Sequence, residues 1–424
     1  MDPESLEMNE ENVIATTQNL PLVLGEPADP RGELTTLTEQ FCGVVTRITE
    51  RGGDVEHGSY KQVYLCGDLR LLPDGVRRGR VIRELSTNVA DTDAELVMVS
   101  AGQVPLLVHG VGVFFRRFFD EEELFEKIVD EHEFQELTES TKKSKALRTG
   151  IYMTDVAREV TADDNEVLRY RLLRCSSNLT GPTDNFRETD RMIMGKINDA
   201  AREVFEKETQ LNHVLAQIYE NTKDDDEHGR ERKAKISAHS DKTKDMRGDG
   251  LIAFCTFYGG GPEAFGALER SESDPYDWSY EQKVSGLTTL YFKLKPSAKE
   301  RDEAKEQALV EEFSITLYPN SVFIIPLSTN RLYTHAIRPS LLNVDRIPTR
   351  MGYVARSSKA EARFVDGQTY IEEGGDWIPL VPMTHETLSD LRDTYREENK
   401  TANEVAYGKV HFSMNEGDYK KPIH

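Results

Sequence analysis

The sequence predicts an α+β protein whose larger part is a double-sheet barrel preceded by a β-rich accessory region. Two observations carry this: helix-patterned segments come first and are followed by a series of short apolar, β-branched runs, and those runs are bounded by Gly, Pro and Asn. No internal repeat is present. With 424 residues, 38% of them hydrophobic, the chain has room for two or three domains and at least one substantial core.

Residues 1–32 read as a disordered acidic tail, rich in Glu, Asn and Pro and ending in the turn-prone Asp29-Pro30-Arg31-Gly32. Over 33–110, short β-prone runs such as Gly43 to Ile48, Gln62 to Leu65 and Leu106 to His109 alternate with Gly and Asp clusters, giving the accessory region. The composition changes at Phe114-Phe115-Arg116-Arg117-Phe118-Phe119. Acidic residues followed by apolar ones at helical spacing predict a helix over about 120–131, and a second helix is expected over about 188–208. Strands are then expected at 251–258, 288–294, 314–325 and 352–355. The charged stretches 223–235 and 298–312 read as solvated loops or surface helices. The main domain is placed at 111–365, and 366–424 is a polar extension packing partly on it through Trp377-Ile378-Pro379-Leu380.

A formal charge of −22 gives an overall field that repels polyanions, so nucleic-acid binding would need a local basic patch. The four cysteines are far apart, with no C-x-x-C pair, and read as reduced, buried thiols. Met1 to Asn12 lacks the basic and apolar regions of a secretory signal, and no apolar run approaches transmembrane length. The expectation is an intracellular protein, nuclear or cytoplasmic, with no membrane partner.

His239-Ser240-Asp241 and the distant Tyr333-Thr334-His335 supply two imidazoles and one carboxylate, the ligand set of mononuclear non-heme iron(II) sites. Such sites leave positions open for a cosubstrate and dioxygen. Ile236-Ser237-Ala238 suits a strand leading into the first pair, and ligands two apart at a strand end can face one cavity when the turn re-aims the second. Taken alone, each piece has a plainer reading. An H-x-D triplet also suits a surface turn capped by its aspartate, and an isolated histidine also suits a core position satisfied by backbone groups. Arg350 and Arg356, six apart, share one strand face. Buried there, they need anionic partners; on an exposed edge, water suffices. A guanidinium is suited to hold a carboxylate through two parallel hydrogen bonds, so Arg350 fits the distal carboxylate of a dicarboxylic cosubstrate.

At this point the chain resembles the AlkB-like iron(II)- and 2-oxoglutarate-dependent dioxygenases. The resemblance runs in order through Asn212-His213-Val214-Leu215-Ala216-Gln217-Ile218-Tyr219, His239-Ser240-Asp241, Ala253 to Tyr258, Leu317 to Ile325, Tyr333-Thr334-His335 and the Arg350/Arg356 pair. It covers about 110–365, most firmly 205–260 and 313–356. It implies a double-stranded β-helix (jelly-roll) core, with iron held by His239, Asp241 and His335. Arg350 would bind the distal carboxylate of 2-oxoglutarate, and Tyr219 would hydrogen-bond the cosubstrate. Arg356 would lie near the metal and substrate side, and Gln217 stands where the family usually has Asn.

The departures lie in the substrate loops. The charged loop before His239, the 259–287 connection, the 33–110 region and Lys242-Thr243-Lys244-Asp245-Met246 do not follow the family pattern. Loops are where a fold changes its target. The first function expected is oxidative dealkylation or hydroxylation of a nucleic-acid base. A flipped base would need an aromatic pocket and a cationic track, for which Phe114 to Phe119 and Arg169-Tyr170-Arg171-Leu172-Leu173-Arg174 are candidates; a basic strand edge and a core-facing aromatic cluster explain them equally. The alternative applies the same chemistry to a protein side chain, lipid or metabolite, and a third reading is a non-catalytic scaffold, against which the complete ligand set argues.

Overall fold

All eight residues of Leu251–Tyr258 are buried, which is why this stretch reads as an unbroken apolar run and not as an alternation. It is a central strand of the main sheet. The computed structural model describes residues 11–424 except 16–20, 26, 28–32, 51–62, 72–77, 88–94, 139–144, 161–164, 176–178, 224–228, 261–286 and 301–308. Most of the 259–287 connection and much of the charged stretch 298–312 therefore lie outside the described residues. Among the described residues the chain is mixed α+β and sheet-rich, and no helix is long and apolar enough to cross a membrane.

The N-terminal part comprises β1 (Pro21–Gly25), α1 (Glu33–Gln40), β2 (Val44–Arg47), β3 (Tyr64–Gly67), β4 (Arg78–Ile82) and β5 (Glu95–Val99). Its sheet is wholly parallel, in the order β2-β1-β3-β4-β5. The tail expected over 1–32 is corrected by this strand: Leu22 and Leu24 enter one core cluster and Val23 another, so both faces of β1 are buried. Composition averaged over the segment hid a five-residue apolar run. Asn12 and Ile14 are also fixed, against Lys207 and Phe205.

The main sheet is built from β6 (Leu106–Val108), β7 (Gly112–Phe115), β8 (Gln135–Thr138), β9 (Lys145–Thr154), β12 (Asp184–Asn185), β13 (His213–Tyr219), β17 (Leu251–Tyr258), β20 (Ser321–Pro326) and β22 (Arg350–Arg356). Its order is β12-β9-β13-β22-β17-β20-β7-β6, with β8 on β9. Leu106, assigned from sequence to the accessory region, thus belongs to the main sheet. One face is covered by α3 (Glu188–Val204), whose buried Ile193, Met194, Ile197, Ala200, Ala201 and Val204 form a stripe at helical spacing. Opposite it stand Val214, Ala216, Ala253, Cys255, Met351 and Ala355. The other face packs Ile252, Phe254, Phe323 and Ile325 on a four-stranded sheet of β16 (Ile236–His239), β18 (Thr289–Leu294), β19 (Glu312–Thr316) and β21 (Tyr333–Arg338), ordered β16-β21-β18-β19.

A further sheet joins β10 (Ala157–Val160), β11 (Glu166–Leu172), β23 (Ala360–Val365), β24 (Gln368–Glu373) and β25 (Asp376–Pro379). The boundary placed between 365 and 366 therefore falls inside a hairpin, at Asp366-Gly367, where both residues take positive φ as a tight two-residue turn requires. The short hairpin β14 (Thr222–Lys223) and β15 (Glu231–Arg232), the helices α4 (Pro296–Lys299) and α5 (Leu327–Leu332), and a C-terminal helix α6 (His385–Lys400) complete the elements used below.

α3 is stapled to the molecule at its first turn. His132, just beyond α2 (Leu124–Glu131), sets Nδ1 at 2.8 Å from Asp184 and Nε2 at 2.6 Å from Asp190, all three side chains being essentially inaccessible. Asp190 also accepts from the Tyr353 hydroxyl of β22 at 3.0 Å, so one buried network joins α2, β12, α3 and the main sheet. Burial lowers the His132 pKa, but the two carboxylates outweigh it and raise it to about 9. A pKa raised above the ~6.5 of an unfolded chain stabilises fully below about pH 6.5, and the contribution is lost as pH rises through about 9. Denaturant midpoints should therefore fall across that window in the wild type, by at most about 3 kcal/mol in stability, and stay flatter in His132→Gln. Equal slopes in the two proteins would remove the staple from the account.

Candidate metal centre

His239 is the last residue of β16, and the register of β16 on β21 sets it directly opposite His335. Non-consecutive segments thus meet because two antiparallel strands pair, and the imidazole centroids lie 4.5 Å apart. Asp241, two residues past the strand end, turns its carboxylate between them. Its Oδ1 is 3.6 Å from His239 Nε2 and 3.7 Å from His335 Nε2, and the three ligand atoms lie within 4.8 Å of one another. Ligand atoms on bonds of about 2.1 Å to one ion stand ~3–3.6 Å apart, so the cluster closes on an ion with a small contraction.

The chemistry of each donor is set locally. His239 Nδ1 lies 2.9 Å from the Ser237 carbonyl, which can only accept, so Nδ1 carries the proton and Nε2 offers its lone pair. Burial above all pushes His335 down to about 3 and keeps it neutral at physiological pH. Burial would raise the Asp241 carboxyl, yet the Arg356 guanidinium beside it holds it well below the usual carboxylate range. Arg356 Nε donates to Asp241 Oδ2 at 2.7 Å, which occupies one oxygen and leaves Oδ1 facing the imidazoles. The result is one ionised carboxylate and two imidazoles whose ligand atoms gather at one point, a set suited to a divalent ion.

Residues that sequence reading missed hold the loop. Asn330, buried on α5, accepts from the Asp241 N–H at 2.8 Å and donates to the Asp241 carbonyl at 2.9 Å. Asn399 of α6 accepts from the Ser240 N–H at 2.7 Å, Glu398 accepts from the Thr243 N–H at 3.0 Å, and Lys242 donates to the Tyr395 carbonyl at 3.3 Å. The polar extension past 366 is thus a brace on the H-x-D loop. Asn330 left a weak signal as a polar residue just before His335, but Asn399 is 159 positions from its partner and left none.

Six residues along β22 from Arg356, about 20 Å, Arg350 is buried with its guanidinium 3.9 Å from the centre of the Tyr219 ring. Its Nη2 has no hydrogen-bond partner among the described residues. Tyr219 donates weakly to Gln217 Oε1 at 3.4 Å. Between them Gly352 matters, because a Cβ there would stand 3.3 Å from Arg350 Nη1 and 3.3 Å from the Tyr219 ring. Tyr219, Gln217 and Arg350 are therefore together on one sheet face, with Arg356 farther along it, where it meets Asp241 of the three candidate ligands carried by the facing sheet and its loop.

The features considered for a base-binding track are corrected. Arg169 pairs with Glu159, Arg171 with Glu361 and Arg174, buried, with Asp245, while Tyr170 and Leu172 enter a core cluster. A cavity of about 620 Å³ beside them is lined by Arg191 and Arg202 as well, which pair with Asp155 and Asp199. Phe114, Phe115 and Phe119 are buried in the cores and present no face for stacking. A second His/Asp/Glu grouping, Glu131, His132 and Asp190, is the hydrogen-bonded staple described above, with both imidazole nitrogens already engaged.

Loss of a residue that orients ligands costs about 10- to 100-fold in metal affinity. Asn330→Ala and Asn399→Ala should each weaken Fe(II) or Co(II) binding in that range, read by titration, with Asp241→Ala abolishing it. Unchanged affinity in both asparagine variants would show the loop to hold its shape without them.

No protein-family model matches the chain, and no curated protein does. Among solved structures, the selenomethionine-labelled Fe(II)/α-ketoglutarate-dependent dioxygenase TqaL is 7% identical, with 55% of this chain and 72% of that chain covered, at a TM-score of 0.22. A likeness of that size carries no argument, and the functional reading rests on the site.

Proposed function

We propose that the chain is an iron(II)- and 2-oxoglutarate-dependent dioxygenase whose two facing sheets form a double-stranded β-helix. The observation that carries this is the convergence of His239, Asp241 and His335 on one point while Arg350, on the facing sheet, keeps a buried Nη2 with no hydrogen-bond partner among the described residues. The residues fit the groups. Two imidazoles and one carboxylate suit Fe(II), and a buried guanidinium with a donor left without a partner among the described residues, beside a glycine, suits a carboxylate.

In this reading His239, Asp241 and His335 hold iron and leave its remaining positions open. Arg356 keeps Asp241 ionised and restricts it to one ligating oxygen. Arg350 grips the distal carboxylate of 2-oxoglutarate, and the Tyr219 hydroxyl and Gln217 amide border the cosubstrate. When bound, iron and 2-oxoglutarate supply oxidative decarboxylation to succinate and carbon dioxide, coupled to oxidation of a substrate C–H bond by dioxygen. The protein's part is to orient and to exclude water. The substrate class favoured is a protein side chain, lipid or small metabolite. Each arginine of the candidate track has a carboxylate partner, and the net charge of −22 repels a polyanion. An N-alkylated base in DNA or RNA, whose hydroxylated methyl group would leave as formaldehyde, is the second reading.

Iron-dependent conversion of 2-oxoglutarate to succinate should be measurable and should fall by at least ~100-fold in Asp241→Ala; activity surviving that change intact would sink the assigned centre. Arg350→Met should raise the KM for 2-oxoglutarate about 10- to 100-fold, as loss of a charged hydrogen bond predicts. Binding to single-stranded oligonucleotides should be weak; tight binding that falls steeply with salt would restore the nucleic-acid reading.

A further inference from the structure

The face that carries Arg350 holds a second arginine to which the reading above gives no task. The strands β9, β13, β22 and β17 lie side by side, and their register places Arg148, Tyr219, Arg350 and Tyr258 in one row. Directly paired residues on antiparallel strands share a face, so Arg148 and Arg350 flank Tyr219, with Cα atoms about two strand spacings, ~10 Å, apart. The side chain of arginine is long enough for the two guanidiniums to approach one group above the tyrosine.

Three observations point to an anion there. Arg148 Nε and Arg350 Nη2 are both buried without a hydrogen-bond partner among the described residues, and buried donors are ordinarily satisfied. Arg356, on the same strand face as Arg350, already has its carboxylate in Asp241. In the neighbouring row, Gln217 is flanked by Gly150, over which Leu137 packs, and by Gly352, whose missing side chain leaves Arg350 room against Tyr219 on the side toward Arg148. Arg148 is half-buried and Arg350 buried, and two like charges brought to one such space are held best by an anionic partner.

We propose that Arg148 is a second arginine of the cosubstrate pocket and that the distal carboxylate of 2-oxoglutarate is held between Arg148 and Arg350. This rests on the dioxygenase reading of the site. Arg148 then selects for a dicarboxylate over a simple 2-oxo acid, because only the former supplies the second anionic group.

The test is calorimetric titration of 2-oxoglutarate and of 2-oxobutyrate, which lacks the distal carboxylate, into the Mn(II)-loaded full chain under anaerobic conditions. Arg148→Met should weaken 2-oxoglutarate binding about 10- to 100-fold and leave 2-oxobutyrate binding as in the wild type, with Arg148→Lys recovering part of the loss. Should Arg148→Met fail to fold, seen in its circular dichroism, Arg148→Gln and Arg148→Lys carry the same comparison. Full 2-oxoglutarate affinity in the Arg148 variants, alongside its loss in Arg350→Met, overturns the role of Arg148 and leaves the dioxygenase reading intact. Equal weakening of both ligands in a folded variant also overturns it, since the effect would not depend on the distal carboxylate. A wild-type chain that does not bind 2-oxoglutarate overturns both.

Discussion

The ion pair between Arg356 and Asp241 is the contact on which the candidate site depends. Asp241 lies in a loop leaving the edge of the four-stranded sheet, and Arg356 lies at the end of a central strand of the main sheet, so this bond fixes the two sheets against each other at the candidate metal centre. Both side chains are about nine-tenths buried. Removing one partner of such a pair leaves an uncompensated buried charge, at a cost of about 3–5 kcal/mol. The same bond sets the chemistry, because it keeps the carboxylate charged and takes up its second oxygen.

From that anchor the main sheet acts as a ruler. Strand β22 carries Arg350 and Arg356 on one face, and the pairing of β13 and β17 on either side places Tyr219 and Tyr258 beside Arg350. The opposite face is committed to α3 and the N-terminal sheet, so Tyr353 points away from the site and secures the helix through Asp190. A strand buried on both faces cannot slip register without driving Arg350 and Arg356 into an apolar core. The separation of Arg350 from Arg356, which holds Asp241, is therefore a property of the backbone and not of a mobile loop.

The C-terminal helix gives the H-x-D loop a second wall. Its Tyr395, Glu398 and Asn399 receive or supply bonds to Lys242, Thr243 and Ser240, while Lys295 donates to the Glu398 and Thr401 carbonyls that close the helix. The loop is thus held from the main sheet by Arg356, from α5 by Asn330 and from the C-terminus by α6. A site built on a loop gains the precision of one built on strands when its backbone groups are bonded on every side.

The local order of the chain was legible where one rule dominated. The strand at 251–258 and the start of α3 at 188 follow from unbroken apolar character and from acidic residues in a first turn. His239, Asp241, His335 and the arginine pair stood out because few other arrangements ask for those residue types together. Strand β1 was missed because a short buried strand carries little compositional weight inside an acidic segment. The arginines at 169, 171 and 174 misled because sequence records a charge but not its partner. Their carboxylates come from Glu159, Glu361 and Asp245, two of them far along the chain. By itself, then, the sequence determined which residues could ligate a metal and, where one pattern dominated as at 251–258 and from 188, which stretches would be strand or helix, since those depend on residue chemistry and short-range periodicity. Only the tertiary structure decided that His239 faces His335, that Asn399 braces the loop between the ligands and that Arg148 stands beside Tyr219. Each of these is a pairing between distant segments, set by strand register and by packing of both faces of one sheet.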